Sequence, residues 1–457
     1  MAPPLRDAYV LGVGLTKFLR PRKEREYPEL GYEAGIKAMI DAGINYDDVQ
    51  MGVACYGYGG SSAGQRVFYQ FGMTGIPIYN TRNACATGSA GLHIARNAVR
   101  TGMADCVLVI GFEQMAPGPL NHDDDPRPDP IELSVALMNQ TRGQFNSPKN
   151  AQIFANAGRE YMEKYGARAE DFAEIGRLSH ENSTRNPYAQ FQTEYTLQEI
   201  LDSKMIHPPM TRLQCSPTSD GAAAAVIVSE KYLTDLKRRN QAILMAGQAM
   251  VTDDPSLYSG SAIDLVGDNM TRKAAKTALA EAGVTVQDVG VCELHDCFSA
   301  NQLVLLDALG FCAPGEAHKL VREGRIARGG QGPLVNPSGG LISKGHPLGA
   351  TGLAQCAELT WHLRGWANNR LGNPTKVALQ HNLGLGGVAV VTVYKRADGK
   401  ANRALTNAEV VKASASQYNP AVEARYVTPA EGEIARSRKH KSQYAMGDTP
   451  EKIAARL

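Results

Sequence analysis

Cys85 stands in the run Asn83-Ala84-Cys85-Ala86-Thr87-Gly88-Ser89-Ala90-Gly91, just ahead of residues with helical spacing. A thiol at a helix N-terminus sits in partial positive charge, which favours thiolate by about 0.3–1 kcal/mol and suits a nucleophile. The same stretch also fits an inert core cysteine, the usual fate of a free thiol, and local spacing leaves both open. The small residues predict a tightly packed helix that runs to Arg100 and stops near Gly102.

Far downstream, NPSGGLISKGHPLGATG (336–352) carries His346 on a glycine-rich loop bracketed by Pro337 and Pro347. Glycine lets backbone approach a ligand and proline fixes the loop's path, whereas a core imidazole would be packed among side chains. Gly340 and Gly345 have the separation of a phosphate loop, but His346 occupies its lysine position, which excludes that mode of nucleotide binding. Between the two motifs lies His295-Asp296-Cys297-Phe298. On an extended segment the imidazole and the thiol face the same side, toward one pocket. A deaminase-type zinc site is excluded because its P-C-x-x-C partner is absent. The fourth stretch is His381-Asn382-Leu383-Gly384-Leu385-Gly386-Gly387.

Two related αβ halves are needed to hold these four stretches together. Residues 34–50 match residues 274–290 at an offset of 240, each reading as a helix that ends at glycine (Gly43, Gly283) before an acidic turn. A second echo sets 84–96 against 349–361, where Ala-Thr-Gly recurs at 86–88 and 350–352. The expected layout is a first half over 1–235, interrupted by a loop domain over 114–212, and a second half over 242–396. Residues 397–457, charged and broken by prolines, are expected to form a flexible tail, too short for a fused lipid-carrier domain.

Composition removes several function classes. A net charge of +2 without an aromatic–basic array gives no case for nucleic acid. Eight cysteines without CxxC pairs read as free thiols in a reducing compartment, and the N-terminus lacks a secretory layout. No apolar run approaches the about 18 residues of a membrane span, so a soluble protein is expected. His122 beside Asp123, Asp124 and Asp125 reads as a solvated turn rather than a cation site.

In their order, the four motifs resemble the thiolases, and the HDCF and HN pairings resemble the sterol-carrier-protein type, over residues 5–396. The resemblance implies an α/β thiolase fold, two βαβαβαββ halves in five αβαβα layers, with the inserted loop domain shaping the acyl and coenzyme A site. It implies that Cys85 is the nucleophile, that His346 activates it and donates to the thioester oxygen, and that His295 holds a water or the keto oxygen. Cys297 becomes the acid/base, a role suited to a thiol of ordinary pKa about 8.5. His381 replaces the acid/base cysteine of many thiolases and is expected to support Cys297; which of the two carries the proton stays open. Backbone N–H groups of Leu383 and Gly384, with that of Cys85, would form an oxyanion hole, and His346 would contribute to the other.

The implied function is cleavage of medium or long, 2-methyl-branched or sterol-side-chain 3-oxoacyl-CoA by coenzyme A, with ping-pong kinetics, in β-oxidation. Coenzyme A is a co-substrate, no cofactor or metal is resident, and the expected assembly is a homodimer. Ala455-Arg456-Leu457 resembles the address read by the peroxisomal import receptor, so the expected location is the peroxisome, with cytoplasm or mitochondrion as alternatives. Rival functions are a condensing enzyme, an aldolase working without an acyl-enzyme, and a non-catalytic acyl-CoA- or lipid-binding subunit.

Overall fold

In the computed structural model the first half resolves into β1 (Tyr9–Leu15), α1 (Tyr27–Ala42), β2 (Met51–Cys55), α2 (Ala63–Phe68), β3 (Ile78–Thr81), α3 (Thr87–Arg100) and β4 (Cys106–Glu113). The structure describes residues 4–21, 24–117, 129–414 and 416–441. His122 with its aspartates and the terminal Ala455-Arg456-Leu457 lie outside the described residues. The insertion contributes α4 (Pro130–Arg142), α5 (Lys149–Tyr165), α6 (Ala169–Ser183), α7 (Leu197–Asp202) and a small hairpin of β5 (Met205–His207) and β6 (Met210–Thr211). Strand β7 (Gly221–Val228) then returns to the sheet.

The second half follows as α8 (Leu236–Gln241), β8 (Ile243–Val251), α9 (Ala262–Leu265), α10 (Asp268–Ala282), β9 (Val289–Glu293) and α11 (Ser299–Ala308). It continues through α12 (Ala317–Arg322), β10 (Leu334–Val335), α13 (Leu348–Arg364), β11 (Val377–Gly384) and β12 (Val388–Arg396). Two short helices end the described chain, α14 (Asn407–Ala413) and α15 (Pro429–Ala435).

Among the described residues, ten strands form one sheet in the order β10-β9-β11-β12-β8-β1-β7-β4-β2-β3. Read outward from its centre, each half repeats the same order and the same parallel and antiparallel pairings. The halves join through a short antiparallel contact of β1 with β8, Tyr9 against Leu244 and Val10 against Ile243. Helices α3 and α13 pack against each other between the half-sheets, with α1 outside one and α10 outside the other. Strands covered on both faces are buried along their whole length, as in β1, β4, β7 and β11, which is why they read as unbroken apolar runs. The matched helices α1 and α10 end on Gly43 and Gly283, left-handed at φ 65° and 61°.

The insertion is a packed layer rather than an excursion. Phe154 and Ile153 of α5 and Phe172 of α6 share one core with Ala300, Leu303 and Val304 of α11. Its chain also grips the loop that leads to His346: Gln190 N–H donates to Lys344 O at 2.9 Å and Phe191 N–H to Ser343 O at 3.1 Å. Among the described residues, no helix is long and apolar enough to cross a membrane.

Residues 397–414 and 416–441 correct the expectation of a flexible tail. Val410, Ala421 and Ala435 are completely buried against the body. Two capping boxes nucleate the short helices, Thr406 with Glu409 and Thr428 with Glu431. Tyr188 of the insertion donates to Pro420 O at 2.8 Å, tying this segment to the first half.

Candidate active site

Cys85 precedes α3 on a strained turn. Ala84 adopts φ 46°, a left-handed conformation uncommon for a residue with a Cβ. Thr87 holds it in place, accepting from Asn83 N–H at 2.7 Å and donating to Ala84 O at 2.6 Å. Cys85 is partly exposed. Burial, and then the Glu113 carboxylate, push its thiol up to about 12. The expected gain from the helix N-terminus is therefore outweighed by desolvation, and the resting group is a thiol.

His346 emerges from a loop that turns through Gly339, Gly340 and Gly345 at φ 96°, 57° and 116°. Gly340 is required on space as well, since a Cβ there would run into the Asp296 carboxylate. His346 N–H donates to Ser219 Oγ at 2.9 Å, and Ser219 in turn donates to Gln190 Oε1 at 2.6 Å. The ring is oriented by Thr351, whose hydroxyl meets His346 Nδ1 at 2.8 Å; with that hydroxyl turned to Pro347 O at 3.1 Å, it accepts from Nδ1–H. In that arrangement Nε2 is a bare lone pair, buried and without a hydrogen-bond partner among the described residues. Burial, and next the Lys344 charge, hold the imidazole down at about 3, so it is neutral and able to take a proton.

His295 faces His346 edge-on, ring centroids 5.2 Å apart. The Cys85 sulfur and one ring nitrogen each from His295 and His346 lie within 4.8 Å of one another. Asn382 Nδ2 meets His295 Nδ1 at 3.0 Å. Burial keeps His295 neutral, its pKa well below the ordinary value.

Cys297 is buried nearby; burial, and next its electrostatic coupling to Cys85, raise its thiol well above the ordinary value. Asn301 Nδ2 approaches its sulfur at 3.9 Å. His381 is set apart: β11 alternates, so Gln380 and Asn382 face α13 and α3 while His381 faces α10 and meets Thr271 Oγ1 at 3.0 Å. Leu383 likewise turns its side chain toward Gly267 on that outer side. Gly384 lies against the nucleophile's turn, where a Cβ would stand 2.5 Å from Asn83 O.

Several supporting residues escaped the sequence reading. Buried Glu113 collects the N–H groups of Gly57, Tyr58 and Gly349 at 2.8, 3.0 and 3.0 Å, binding the start of α13 to the end of β4. Its desolvation raises it to about 6. Beneath the His346 loop, Lys344 Nζ lies 3.3 Å from Glu293 and 2.8 Å from Ser338 Oγ, all three fully buried. Thr351, five residues after His346, was detectable by spacing once the His346 motif was in hand.

The family model described as thiolase, N-terminal domain, matches residues 9–231, and that described as thiolase C-terminal domain-like matches 256–396. Sterol carrier protein 2 of Bos taurus is 50% identical over 396 residues, 86% of this chain and 73% of that protein. Acetyl-CoA acetyltransferase of Methanothermobacter thermautotrophicus is 32% identical, covering 86% of this chain and 100% of its own length. Among solved structures, human mitochondrial 3-ketoacyl-CoA thiolase superposes with a TM-score of 0.62 at 19% identity, over 86% of this chain and 100% of the other, a likeness of fold. The chain belongs to the thiolase family of acyltransferase enzymes.

Proposed function

We propose that this acyltransferase cleaves 3-oxoacyl-CoA with free coenzyme A through an acyl-enzyme on Cys85. One arrangement carries the proposal: a thiol, a bare imidazole lone pair on His346 and a second imidazole on His295 meet within 4.8 Å. Because Cys85 and His346 rest neutral, His346 Nε2 takes the thiol proton as sulfur attacks the 3-keto carbon. The carbon–carbon bond then breaks, its electron pair passing into the enolate of the departing acyl-CoA. Hydrogen-bond donors at the reacting oxygens stabilise these charges, each typically worth about 2.7–4 kcal/mol. We assign His295 to one such position and the Cys85, Leu383 and Gly384 amides to another, as the family resemblance implies.

Cys297 is the proposed proton donor to the enolate. Its thiol is held protonated close to Cys85, whereas His381 is engaged with Thr271 on the outer side of β11. Coenzyme A then enters as co-substrate, loses its thiol proton and takes the acyl group from Cys85. Medium or long, branched or sterol-side-chain substrates, a homodimer and peroxisomal import through Ala455-Arg456-Leu457 follow from the family resemblance and are proposed with it.

Mass spectrometry after mixing the protein with straight and 2-methyl-branched 3-oxoacyl-CoA, without coenzyme A, tests the mechanism. The expected result is an acyl adduct on Cys85 that coenzyme A discharges. Absence of an adduct for every chain, from protein that still binds coenzyme A, would favour the aldolase or binding reading instead.

A further inference from the structure

The groups behind His295 select between its two tautomers. The sequence of constraints begins at the main-chain carbonyl of Gly352, which can only accept. Gln380 Nε2 donates to it at 2.6 Å, so the other end of that amide, Oε1, faces the Tyr394 hydroxyl at 2.6 Å. The same Nε2 donates to Ser89 Oγ at 2.9 Å. Ser89 keeps its own proton for Asn382 Oδ1, which it meets at 3.3 Å. Asn382 then presents Nδ2–H to His295 Nδ1 at 3.0 Å, and the His295 proton has only Nε2 left. Ser89, Gln380 and Asn382 are completely buried, so no solvent competes for any of these bonds.

We propose that Gln380, Ser89 and Asn382 are positioning residues that lock His295 as its Nε2–H tautomer and so make it a hydrogen-bond donor to a substrate oxygen. This rests on the thiolase reading above. An inverted tautomer would aim a lone pair at the developing negative charge. The three residues come from β11 and α3, so the lock also couples the strand behind the site to the helix that carries Cys85.

Two variants and two readouts test this. Ser89→Ala frees the Asn382 amide to rotate and should lower kcat about 10²–10³-fold, the loss of one oxyanion donor, with KM within about twofold. Asn382→Asp accepts from Nδ1–H and favours imidazolium, so its kcat should be low at pH 8 and recover on acidification, unlike wild type. In ¹⁵N-histidine NMR, with His295 assigned by its loss in His295→Asn, wild type should show the Nε2–H pattern and Ser89→Ala should not. An Nδ1–H pattern in wild type, unchanged kcat in Ser89→Ala, or an Asn382→Asp profile that superimposes on wild type overturns the proposal. Should Ser89→Ala fail to fold, the wild-type tautomer and the Asn382→Asp profile decide. Wild-type protein without thiolysis but with the Nε2–H tautomer would refute the functional reading and leave the lock standing.

Discussion

Gly352 of α13 touches Ser89 of α3 main chain to main chain: a Cβ on Gly352 would stand 2.5 Å from the Ser89 nitrogen. The contact is reciprocal, since a Cβ on Gly88 would stand 2.8 Å from Gly349 O and 3.2 Å from Gly352 N. These glycines end the two copies of Ala-Thr-Gly. The duplicated sequence therefore makes two helices cross glycine to glycine, with only the small Ser89 side chain beside the contact, and the loops entering them, with Cys85 and His346, converge. The threonines of the two copies also correspond, Thr87 fastening Ala84 and Thr351 fastening Pro347 and His346.

Gly352→Ala should therefore separate the helices or displace Ser89. Overpacking of this kind costs about 1–3 kcal/mol, so Tm should fall and thiolysis should fall with it. Gly60→Ala is the control, because nothing lies within 4 Å of a Cβ there. Equal Tm values for the two variants in thermal denaturation would contradict the close crossing.

How much of this was legible follows from range. The helix from Thr87 to Arg100, the paired glycine-capped helices and the duplicated Ala-Thr-Gly were local patterns, and local patterns survive in sequence. The lock on His295 was not legible, because its members lie on α3, α13, β11 and β12 and spacing carries no information about such contacts. His381 and Asn382 had to face opposite sides of a strand, but only the fold shows which side holds Cys85. Residues 397–441 were misread because the apolar signal there is sparse and small, although the Thr406–Glu409 and Thr428–Glu431 boxes were already visible.

A neutral resting pair has a signature in alkylation. With Cys85 raised to about 12 and His346 lowered to about 3, thiolate is scarce at neutral pH and grows as pH rises. Iodoacetamide labelling of Cys85, followed by peptide mass spectrometry, should accelerate about tenfold per pH unit from pH 7 to 10. A rate independent of pH in that range would mean a preformed thiolate–imidazolium pair.

Asp296 gives a stability prediction of definite sign. Burial raises its carboxyl to about 8 in the folded protein, against about 3.9 in an unfolded chain. The native state thus holds a proton that the unfolded state has lost, and stability drains away as pH rises from about 4 to 8. Asp296→Asn keeps an acceptor for Leu341 N–H, 2.6 Å from Oδ1, without the titration. Its Tm advantage over wild type should widen between pH 5 and 8 and then level off; a constant offset would show that Asp296 is ionised throughout.

The segment 397–441 should matter for stability and not for chemistry. Tyr188 stacks on Trp361 at 5.5 Å between ring centroids and donates to Pro420 O, so this segment covers the far end of α13. Trp361 lies thirteen residues after Leu348, about 20 Å along the helix at about 1.5 Å per residue, while His346 acts at the near end. Truncation after Arg396 uncovers Trp361 and removes Val410 and Ala421 from the core they share with it. Tm should drop by about 5 °C or more, with increased binding of an apolar dye. Below the new transition, kcat for the folded fraction should match the full chain. A truncated protein of unchanged Tm would show that the segment merely rests on the surface, and a selective loss of kcat would place it in the catalytic machinery.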